Sequence, residues 1–354
     1  MLDPRQMLRA WRRALVPALA VLAVLLASCD QSSQVAAFPP TTVCRDARPA
    51  AVQAPLDVTF LAESDTHLGG DLEAPWLGSP VGASPPRMEA VQRYVAQQAN
   101  TIEGRAWPAE LGGQVEKPLG MVIAGDLTED GTAAQWSAFE RVYGSSPQSG
   151  LLKMPVAESV GNHDHRLGND DVAAQVTRRH GSVAYSVDWG PLHVVSLGEE
   201  PTDASLVWLR RDLACVPPSA PIVLFFHKPV AGPFSAGGFL SFNANAQALL
   251  STIQGHDVVA ILHGHVHRTG PYEWHGIPVY VTGSAKNEAR SFLVVRITDD
   301  RLQVAAWNYE FGDFWWWEQR PRHGAGSVPR VQGKRAYDGR EPLVPYPVDP
   351  SAVW

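Results

Sequence analysis

The sequence lacks an excess of positive charge. Its 29 lysines and arginines are outnumbered by 36 aspartates and glutamates, which gives a formal net charge of −7 at pH 7. General binding of nucleic acids needs a basic face that neutralises phosphate groups. The charge therefore argues against a nucleic-acid partner, although it does not exclude a small anionic ligand.

The N-terminal apolar run is too short to span a membrane. It extends from Ala14 to Ala27, whereas a bilayer requires roughly 20 such residues. Four arginines precede it, as in an export signal, and it ends in a Leu-Ala-Ser-Cys sequence that resembles a bacterial lipobox. We expect residues 1–28 to be a signal peptide and residues 29–55 a flexible tether. Cys29 would carry a lipid that holds an exported lipoprotein at the membrane, facing the periplasm or the cell exterior; an ordinary secretory signal is the alternative.

Cysteine is scarce, with three in 354 residues. If Cys29 carries lipid, Cys44 and Cys215 remain, and an oxidising compartment permits a disulfide between them. Spacing alone cannot fix the geometry that a disulfide requires. The sequence therefore leaves both a Cys44–Cys215 bridge and two unpaired thiols open.

Internal repeats are also missing, and residues 56–317 are long enough to form one substantial core. Strands and helices alternate in the first part of this region, and strands dominate the later part. This pattern predicts a four-layer α/β/β/α sandwich, in which two mixed β-sheets are flanked by helices. Residues 318–354 are rich in proline, arginine and glycine, and we expect them to form a mobile tail.

What the sequence does contain is five polar motifs, each placed directly after a predicted buried strand. Ligands bind beyond the carboxyl ends of strands in open α/β sheets, so these motifs are expected to meet at one site. Their carboxylates, imidazoles and carboxamide are the ligands that two divalent ions about 3.5–4 Å apart require. Without a thiolate among them, Mn, Fe and Zn are all suitable. The motifs are Asp65-Thr66-His67, Gly125-Asp126, Gly161-Asn162-His163-Asp164, His227 and Gly264-His265-Val266-His267.

In this order, the five motifs resemble the calcineurin-like metallophosphoesterase superfamily, which includes purple acid phosphatases and cyclic-nucleotide phosphodiesterases. The resemblance covers most of residues 56–310. It implies that His163 is catalytic, facing the substrate phosphate as a charge stabiliser or proton donor, and that Asp164 supports the site from behind. It also implies seven metal ligands: Asp65, His67 and His267 on the first ion, Asp126 bridging both, and Asn162, His227 and His265 on the second.

The resemblance further implies a hydrolase that cleaves phosphomonoesters or phosphodiesters through attack by a metal-bridging hydroxide. A water shared by two divalent ions is acidic enough to ionise near neutral pH. The alternative is an inactive metal-binding scaffold that binds a partner in the cell envelope. Glu129 stands where the purple acid phosphatases have a tyrosine ligand, so the purple colour is not expected. The sequence does not fix the substrate, the native metals or the oligomeric state.

Several residues near the motifs have two interpretations. Residues 69–86 and 233–242 are expected to shape the substrate pocket. Lys228 is either a phosphate contact or a solvated lysine, and His165 belongs to an exposed loop or reaches the substrate. His263 is interpreted as structural. The aromatic run Trp315-Trp316-Trp317 is expected to pack on the body of the domain.

Overall fold

The computed structural model describes residues 55–73, 87–144, 146–230, 243–287, 290–322 and 328–335. All of these residues belong to one compact unit. Within these ranges, no helix combines the length and the apolar character that crossing a membrane requires. The predicted signal peptide, lipid anchor and tether lie outside the described residues, as do most of the two predicted pocket loops.

Thirteen strands and five α-helices are found in the described part of the chain. The helices are α1 (Met88–Asn100), α2 (Ala133–Tyr143), α3 (Asp171–His180), α4 (Asp203–Leu213) and α5 (Asn243–Ile253), and a 3₁₀ segment covers Asn162–Gly168. The strands are β1 (Asp57–Glu63), β2 (Met121–Ala124), β3 (Val156–Ser159), β4 (Ala184–Trp189), β5 (Leu192–Leu197), β6 (Pro221–Phe225), β7 (Asp257–His263), β8 (Thr269–Trp274), β9 (Ile277–Thr282), β10 (Ser291–Thr298), β11 (Arg301–Asn308), β12 (Asp313–Pro321) and β13 (Val331–Lys334).

The strands form two mixed sheets, as predicted. The first has the order β13-β12-β11-β10-β1-β2-β3, with β1, β2 and β3 parallel and the other pairs antiparallel. The second has the order β4-β5-β6-β7-β9-β8, with parallel pairs at its centre and an antiparallel pair at each edge. The parallel strands of each sheet therefore direct their carboxyl ends to one side, where the polar motifs follow.

Alternation of apolar side chains along β6 shows how the layers pack. Val223 and Phe225 belong to the main core, which also contains residues of the first sheet. Ile222 and Leu224 belong to a second cluster that includes residues of α4 and α5. Successive strand residues point to opposite faces, so a strand covered on both faces is apolar at every position.

Local signals set the starts of two helices. Thr132 precedes α2 and accepts a hydrogen bond from the backbone N–H of Gln135 at 3.3 Å. Thr202 precedes α4, where its hydroxyl accepts from the N–H of Ser205 at 3.1 Å, and the Ser205 hydroxyl lies 2.8 Å from the N–H of Thr202. Such caps satisfy N–H groups that have no partner inside the helix.

A histidine bridge ties the β4–β5 hairpin to α4. The Nδ1 of His193 lies 2.8 Å from Oδ1 of Asp188, and its Nε2 lies 2.8 Å from Oδ2 of Asp212. Ser186 donates to the other oxygen of Asp212 at 2.9 Å. Burial alone would lower the pKa of His193, but the two carboxylates raise it to about 9. The imidazole of His193 is therefore protonated at neutral pH.

The predicted boundary of the C-terminal tail is wrong. Glu318, assigned to the tail, is fully buried in the middle of β12, where its Oε1 lies 2.7 Å from Nε of Arg320. Strand β13 extends the sheet further by pairing with β12. The charges that indicated a mobile tail are neutralised inside the sheet, while residues 336–354 lie outside the described residues. The packing predicted for Trp315-Trp316-Trp317 is confirmed, since all three side chains are buried.

Cys215 follows α4 and takes part in a disulfide. No other cysteine occurs among the described residues, so its partner lies outside them. Pairing with Cys44 stays a prediction.

Candidate metal centre

The seven predicted ligands come from both sheets and meet at one place. Asp65 and His67 follow β1, Asp126 follows β2, and Asn162 follows β3. The other three follow strands of the second sheet: His227 comes after β6, and His265 and His267 come after β7. The carboxyl ends of strands thus build the site from residues about 200 positions apart, as the sequence predicts.

One group of ligand atoms surrounds a first position. Asp65, His67, Asp126 and His267 each offer an atom within 4.8 Å of the others. The Nε2 atoms of His67 and His267 lie 3.1 Å apart, and the Nε2 of His267 lies 3.3 Å from Oδ1 of Asp65. These are the residues assigned to the first ion, together with the bridging aspartate.

A second group lies beside the first and shares Asp126 with it. It consists of Asp126, His227 and His265. The Nε2 of His227 lies 3.2 Å from Nδ1 of His265 and 3.2 Å from Oδ1 of Asn162. All four residues predicted for the second ion are therefore present here.

Asp126 belongs to both groups through a single oxygen. Its Oδ1 accepts a hydrogen bond from the backbone N–H of His163 at 2.8 Å. Its Oδ2 lies 3.1 Å from Nε2 of His227 and 3.8 Å from Nε2 of His67. Oδ2 is therefore the oxygen that lies near an imidazole of each group.

The backbone at the site adopts conformations that side chains normally avoid. Asp65, His67, Asp126, His265 and His267 have φ angles between 45° and 73°, in the left-handed region that few residues other than glycine occupy. Such strain costs free energy and persists where the surrounding structure holds it, most often at functional sites. Five of the seven ligands share this feature, which supports a functional cluster.

Two glycines permit the close approach of the ligand loops. A Cβ atom at Gly264 would lie 2.6 Å from Oδ2 of Asp65, and one at Gly161 would overlap Oδ1 of Asp126. Both distances are shorter than van der Waals contact. The glycines that precede Asn162 and His265 are therefore required where they are.

The ionisation of the cluster reflects its dense packing. Burial alone would raise the pKa of Asp126, but the imidazoles of His227 and His67 hold it well below its ordinary value. Burial likewise opposes the lowering of the Asp65 pKa to about 2, which His267 and His227 cause. Burial would lower the pKa of His227, yet Asp126 and Asp65 raise it to about 10. A metal ion that binds here would displace this proton.

The donor set fits two divalent metal ions. Imidazole nitrogens, carboxylate oxygens and an amide oxygen suit Mn, Fe and Zn. Two pairs of imidazole nitrogens approach to 3.1 and 3.2 Å, and a shared cation would stabilise such pairs. The half-buried His265, whose pKa is lowered to about 4 by desolvation and by His227, is neutral and able to coordinate.

The outer nitrogens of three ligand imidazoles are also held in place. The Nδ1 of His227 lies 2.9 Å from the carbonyl oxygen of Ala124, and the Nδ1 of His267 bonds Oδ1 of Asn287. The Nδ1 of His67 lies 3.0 Å from Oε2 of Glu129. The contacts at His227 and His267 are hydrogen bonds of the kind that fix the tautomer, so that Nε2 is the nitrogen that can coordinate.

Sequence reasoning missed the contribution of the loop after β9. Ser284 donates to the backbone carbonyl of Asp65 at 3.1 Å, Asn287 bonds His267, and Lys286 lies 2.7 Å from Glu129. The available signal was the position of Gly283-Ser284-Ala285-Lys286-Asn287 directly after a buried strand, as for the five motifs.

His163 lies at the edge of the cluster, where a substrate can reach it. Its Nδ1 lies 2.8 Å from the carbonyl oxygen of Glu129, which leaves Nε2 as the nitrogen that can meet a ligand. Its side chain is 19% exposed, whereas His67 beside it is fully buried. The position suits the role of charge stabiliser or proton donor predicted for it.

Asp164 has a supporting role only. Its two oxygens accept hydrogen bonds at 2.8–3.1 Å from Gly161, Leu127 and Thr128, and the residue is fully buried. Burial and the nearby Asp126 raise its pKa to about 6. The side chain therefore fastens the loop after β3 to the loop after β2, and it does not face a substrate.

The remaining candidates lie around the cluster. Lys228 forms ion pairs with Glu199 and Glu200 at 2.8 and 3.2 Å. Its ammonium group is therefore paired with carboxylates, and neither a solvated lysine nor a contact to phosphate alone describes it. His165 is on the loop beside His163, 3.4 Å from Asp170. The interpretation of His263 as structural fits its full burial and its contact with Tyr272.

His263 faces away from the ligands. Its Nε2 lies 3.0 Å from the hydroxyl of Tyr272, and its Nδ1 lies 2.9 Å from the carbonyl oxygen of Gly264. Burial lowers its pKa to about 4, so the ring is neutral. It packs beneath the loop that carries His265 and His267.

Comparison with known proteins agrees with this geometry. The family profile of calcineurin-like phosphoesterases matches residues 58–269. A "Probable cyclic nucleotide phosphodiesterase" from Rhodococcus erythropolis is 28% identical over 183 residues, which cover 48% of this chain and 58% of that relative. The chain therefore spans less than two thirds of that relative's length.

Solved structures with a related arrangement include a dimetal phosphatase and PhoD. A dimetal phosphatase from Danio rerio is 15% identical, with a TM-score of 0.47, and the match covers 72% of this chain and 96% of that chain. The structure of PhoD is 10% identical, with a TM-score of 0.49, and the match covers 81% of this chain and 73% of that chain. Because the family profile covers more than half of the sequence, the chain belongs to the calcineurin-like phosphoesterase family.

Proposed function

We propose that the protein is a binuclear metal-dependent phosphoesterase that hydrolyses phosphomonoesters or phosphodiesters. The observation that carries this proposal is the convergence of two ligand groups on the shared carboxylate of Asp126. A single metal site would not need one oxygen to face imidazoles on both sides. Family membership supports the class of reaction.

Two divalent ions at this centre would supply an ionised water as nucleophile and would offset charge on the phosphate. The protein's own residues then have separate roles. Asp126 holds both positions at a fixed separation, and its Oδ1 orients the backbone of His163. His163, held at Nδ1 by the carbonyl of Glu129, presents Nε2 to the phosphate, where it stabilises charge or donates a proton to the leaving oxygen.

Phosphodiesters, cyclic nucleotides among them, are the first substrates to test. The motivation is the relative named a probable cyclic nucleotide phosphodiesterase, which shares 28% identity over 183 residues. We also propose that the chain is exported and held at the membrane by a lipid on Cys29, facing the periplasm or the cell exterior. Mass spectrometry of the membrane fraction would contradict the anchor if Cys29 carries no lipid.

The function is tested by metal analysis followed by a substrate panel at matched metal content. Protein loaded with Mn, Fe or Zn is expected to hold two ions per chain and to hydrolyse p-nitrophenyl phosphate, bis(p-nitrophenyl) phosphate or 3′,5′-cyclic AMP. A chelator should abolish turnover, and added metal should restore it. Two bound ions without turnover of any phosphate ester would instead favour the inactive scaffold.

A further inference from the structure

The loop after β9 contacts the metal centre although it lies beyond the residues that the family profile matches. The matched region ends at residue 269, and the loop covers residues 283–287. Ser64, which precedes the ligand Asp65, donates to the carbonyl of Gly283 at 2.7 Å. Ser284 donates to the carbonyl of Asp65 at 3.1 Å. The loop is therefore fastened to the segment that carries the first ligands.

Lys286 connects this loop to the ligand His67 through Glu129. The lysine is 6% exposed, and its Nζ lies 2.7 Å from Oε2 of Glu129. The same oxygen lies 3.0 Å from Nδ1 of His67. A second carboxylate, Glu73, lies 3.3 Å from the ammonium group. A lysine is rarely buried unless it is paired, so this ion pair fixes where the Glu129 carboxylate stands.

Asn287 holds the other histidine of the first group. Its Oδ1 accepts a hydrogen bond from Nδ1 of His267, and its Nδ2 donates to Glu73 at 2.8 Å. Two adjacent residues of one loop thus orient both imidazoles of the first position, one through a carboxylate and the other directly.

The second position is held differently. The Nδ1 of His227 lies 2.9 Å from the backbone carbonyl of Ala124. Because this carbonyl belongs to the backbone at the end of a buried strand, its position does not depend on a side chain of the loop after β9. His227 of the second position is therefore oriented independently of the loop, unlike His267 of the first, and substitution of the loop should affect only the first position.

We propose that Lys286 and Asn287 are positioning residues that set the metal affinity of the first position, with Lys286 acting through Glu129. The inference rests on the proposed binuclear centre. Partners that orient metal-binding histidines typically change metal affinity by about 10–100-fold when they are removed. The first ion should therefore bind more weakly when the loop loses either contact, while the second ion binds as before.

The experiment is a Co²⁺ titration of the metal-free protein, followed by absorption and calorimetry so that the two binding steps are resolved. Lys286→Met is expected to weaken one step by roughly 10–100-fold and to leave the other unchanged. Lys286→Arg, which keeps the charge, should restore much of the loss. The matched control is Arg296→Met, because Arg296 is a partly buried cation paired with Asp57 at the other end of β1. It should leave both steps unchanged.

A double variant tests whether Lys286 acts through Glu129. If it does, Glu129→Gln with Lys286→Met should bind the first ion as weakly as Glu129→Gln alone, since the two effects share one path. Additive losses would overturn this part of the inference. Thermal unfolding of each metal-free variant separates loss of affinity from loss of folded protein.

The outcomes are distinguishable from failure of the proposed function. A wild-type protein that binds fewer than two ions overturns the binuclear proposal. A wild-type protein that binds two ions, with Lys286→Met binding both equally well, overturns the role of Lys286. If Lys286→Met does not fold, Asn287→Ala decides: a weakened first step supports the inference, and unchanged affinity overturns it.

Discussion

Two clusters in this protein are built from the same residue types, histidine and aspartate, but the side chains are arranged differently. In the His193 bridge, one imidazole lies between two carboxylates, and each ring nitrogen has its own partner at 2.8 Å. In the metal centre, imidazole nitrogens approach each other to 3.1 and 3.2 Å. In the bridge, both N–H groups of the protonated imidazole meet a carboxylate. In the candidate metal centre, more nitrogen and oxygen atoms face one another than hydrogen bonds can pair.

The backbone conformation also differs between the two clusters. The residues of the His193 bridge lie in regular strands and a helix. Five ligands of the metal centre lie in left-handed conformations at strand ends. An excess of ligand atoms on a strained backbone therefore indicates a metal-binding site. Fully paired side chains in regular strands and helices indicate a stabilising contact.

The largest effect should come from Asp126→Asn. The change removes the charge shared by both metal positions, so turnover of phosphate esters should fall by at least the order of 10³-fold. Metal content should fall below two ions per chain. Asp57→Asn, at the exposed start of β1, is the control and should retain both properties. Full activity of Asp126→Asn would show that the cluster around Asp126, like the His193 bridge, has no role in turnover.

An intermediate effect is expected from His163→Ala. Loss of a group that stabilises charge or donates a proton should lower kcat by about 10²-fold. Because His163 is not a ligand, two ions should still bind, as measured by metal analysis. His165→Ala, two residues along the same loop, is the control and should change kcat little. Loss of a metal ion from His163→Ala would instead make this residue a ligand.

The smallest effect is expected from His193→Gln, and it should concern stability alone. The pKa of His193 is raised from 6.5 to about 9 in the folded protein, so its stabilisation is fully present below pH 6.5 and is lost as the pH rises through about 9. The variant should lose on the order of 1–2 kcal/mol of unfolding free energy at the lower pH. Urea unfolding below pH 6.5 and above pH 9 measures this difference.

Metal content and turnover of His193→Gln should match the wild type, since the bridge lies apart from the ligands. A stability difference that grows with pH would contradict the charge state assigned to the bridge.

The sequence was sufficient to predict the layers of the fold and which polar residues gather at the candidate site. Its buried strands are short apolar runs, and the residue types that follow them are those that metal ions bind. The Gly190-Pro191 pair lies between β4 and β5, and these two strands form an antiparallel hairpin around it. These features are local, so periodicity and residue type reveal them.

Features that depend on distant partners were not predicted. The arginines of the C-terminal segment indicated a mobile tail, but Arg320 pairs with Glu273 of β8, and its other partner, Glu318, bonds Tyr280 of β9. Lys286 belongs to none of the five motifs, and its partner Glu129 lies 157 positions earlier in the sequence. When a charged residue pairs with a residue far away in the sequence, its neighbours in the sequence do not reveal the pairing.

The division of the ligands between two sheets has a consequence for assembly. Asp65, Asp126 and Asn162 follow strands of one sheet, and His227 and His265 follow strands of the other. Neither sheet alone presents a complete set for either ion. Tight metal uptake should therefore be a late event in folding, and the rate at which a refolding chain captures Co²⁺ would report when the two sheets have closed against each other.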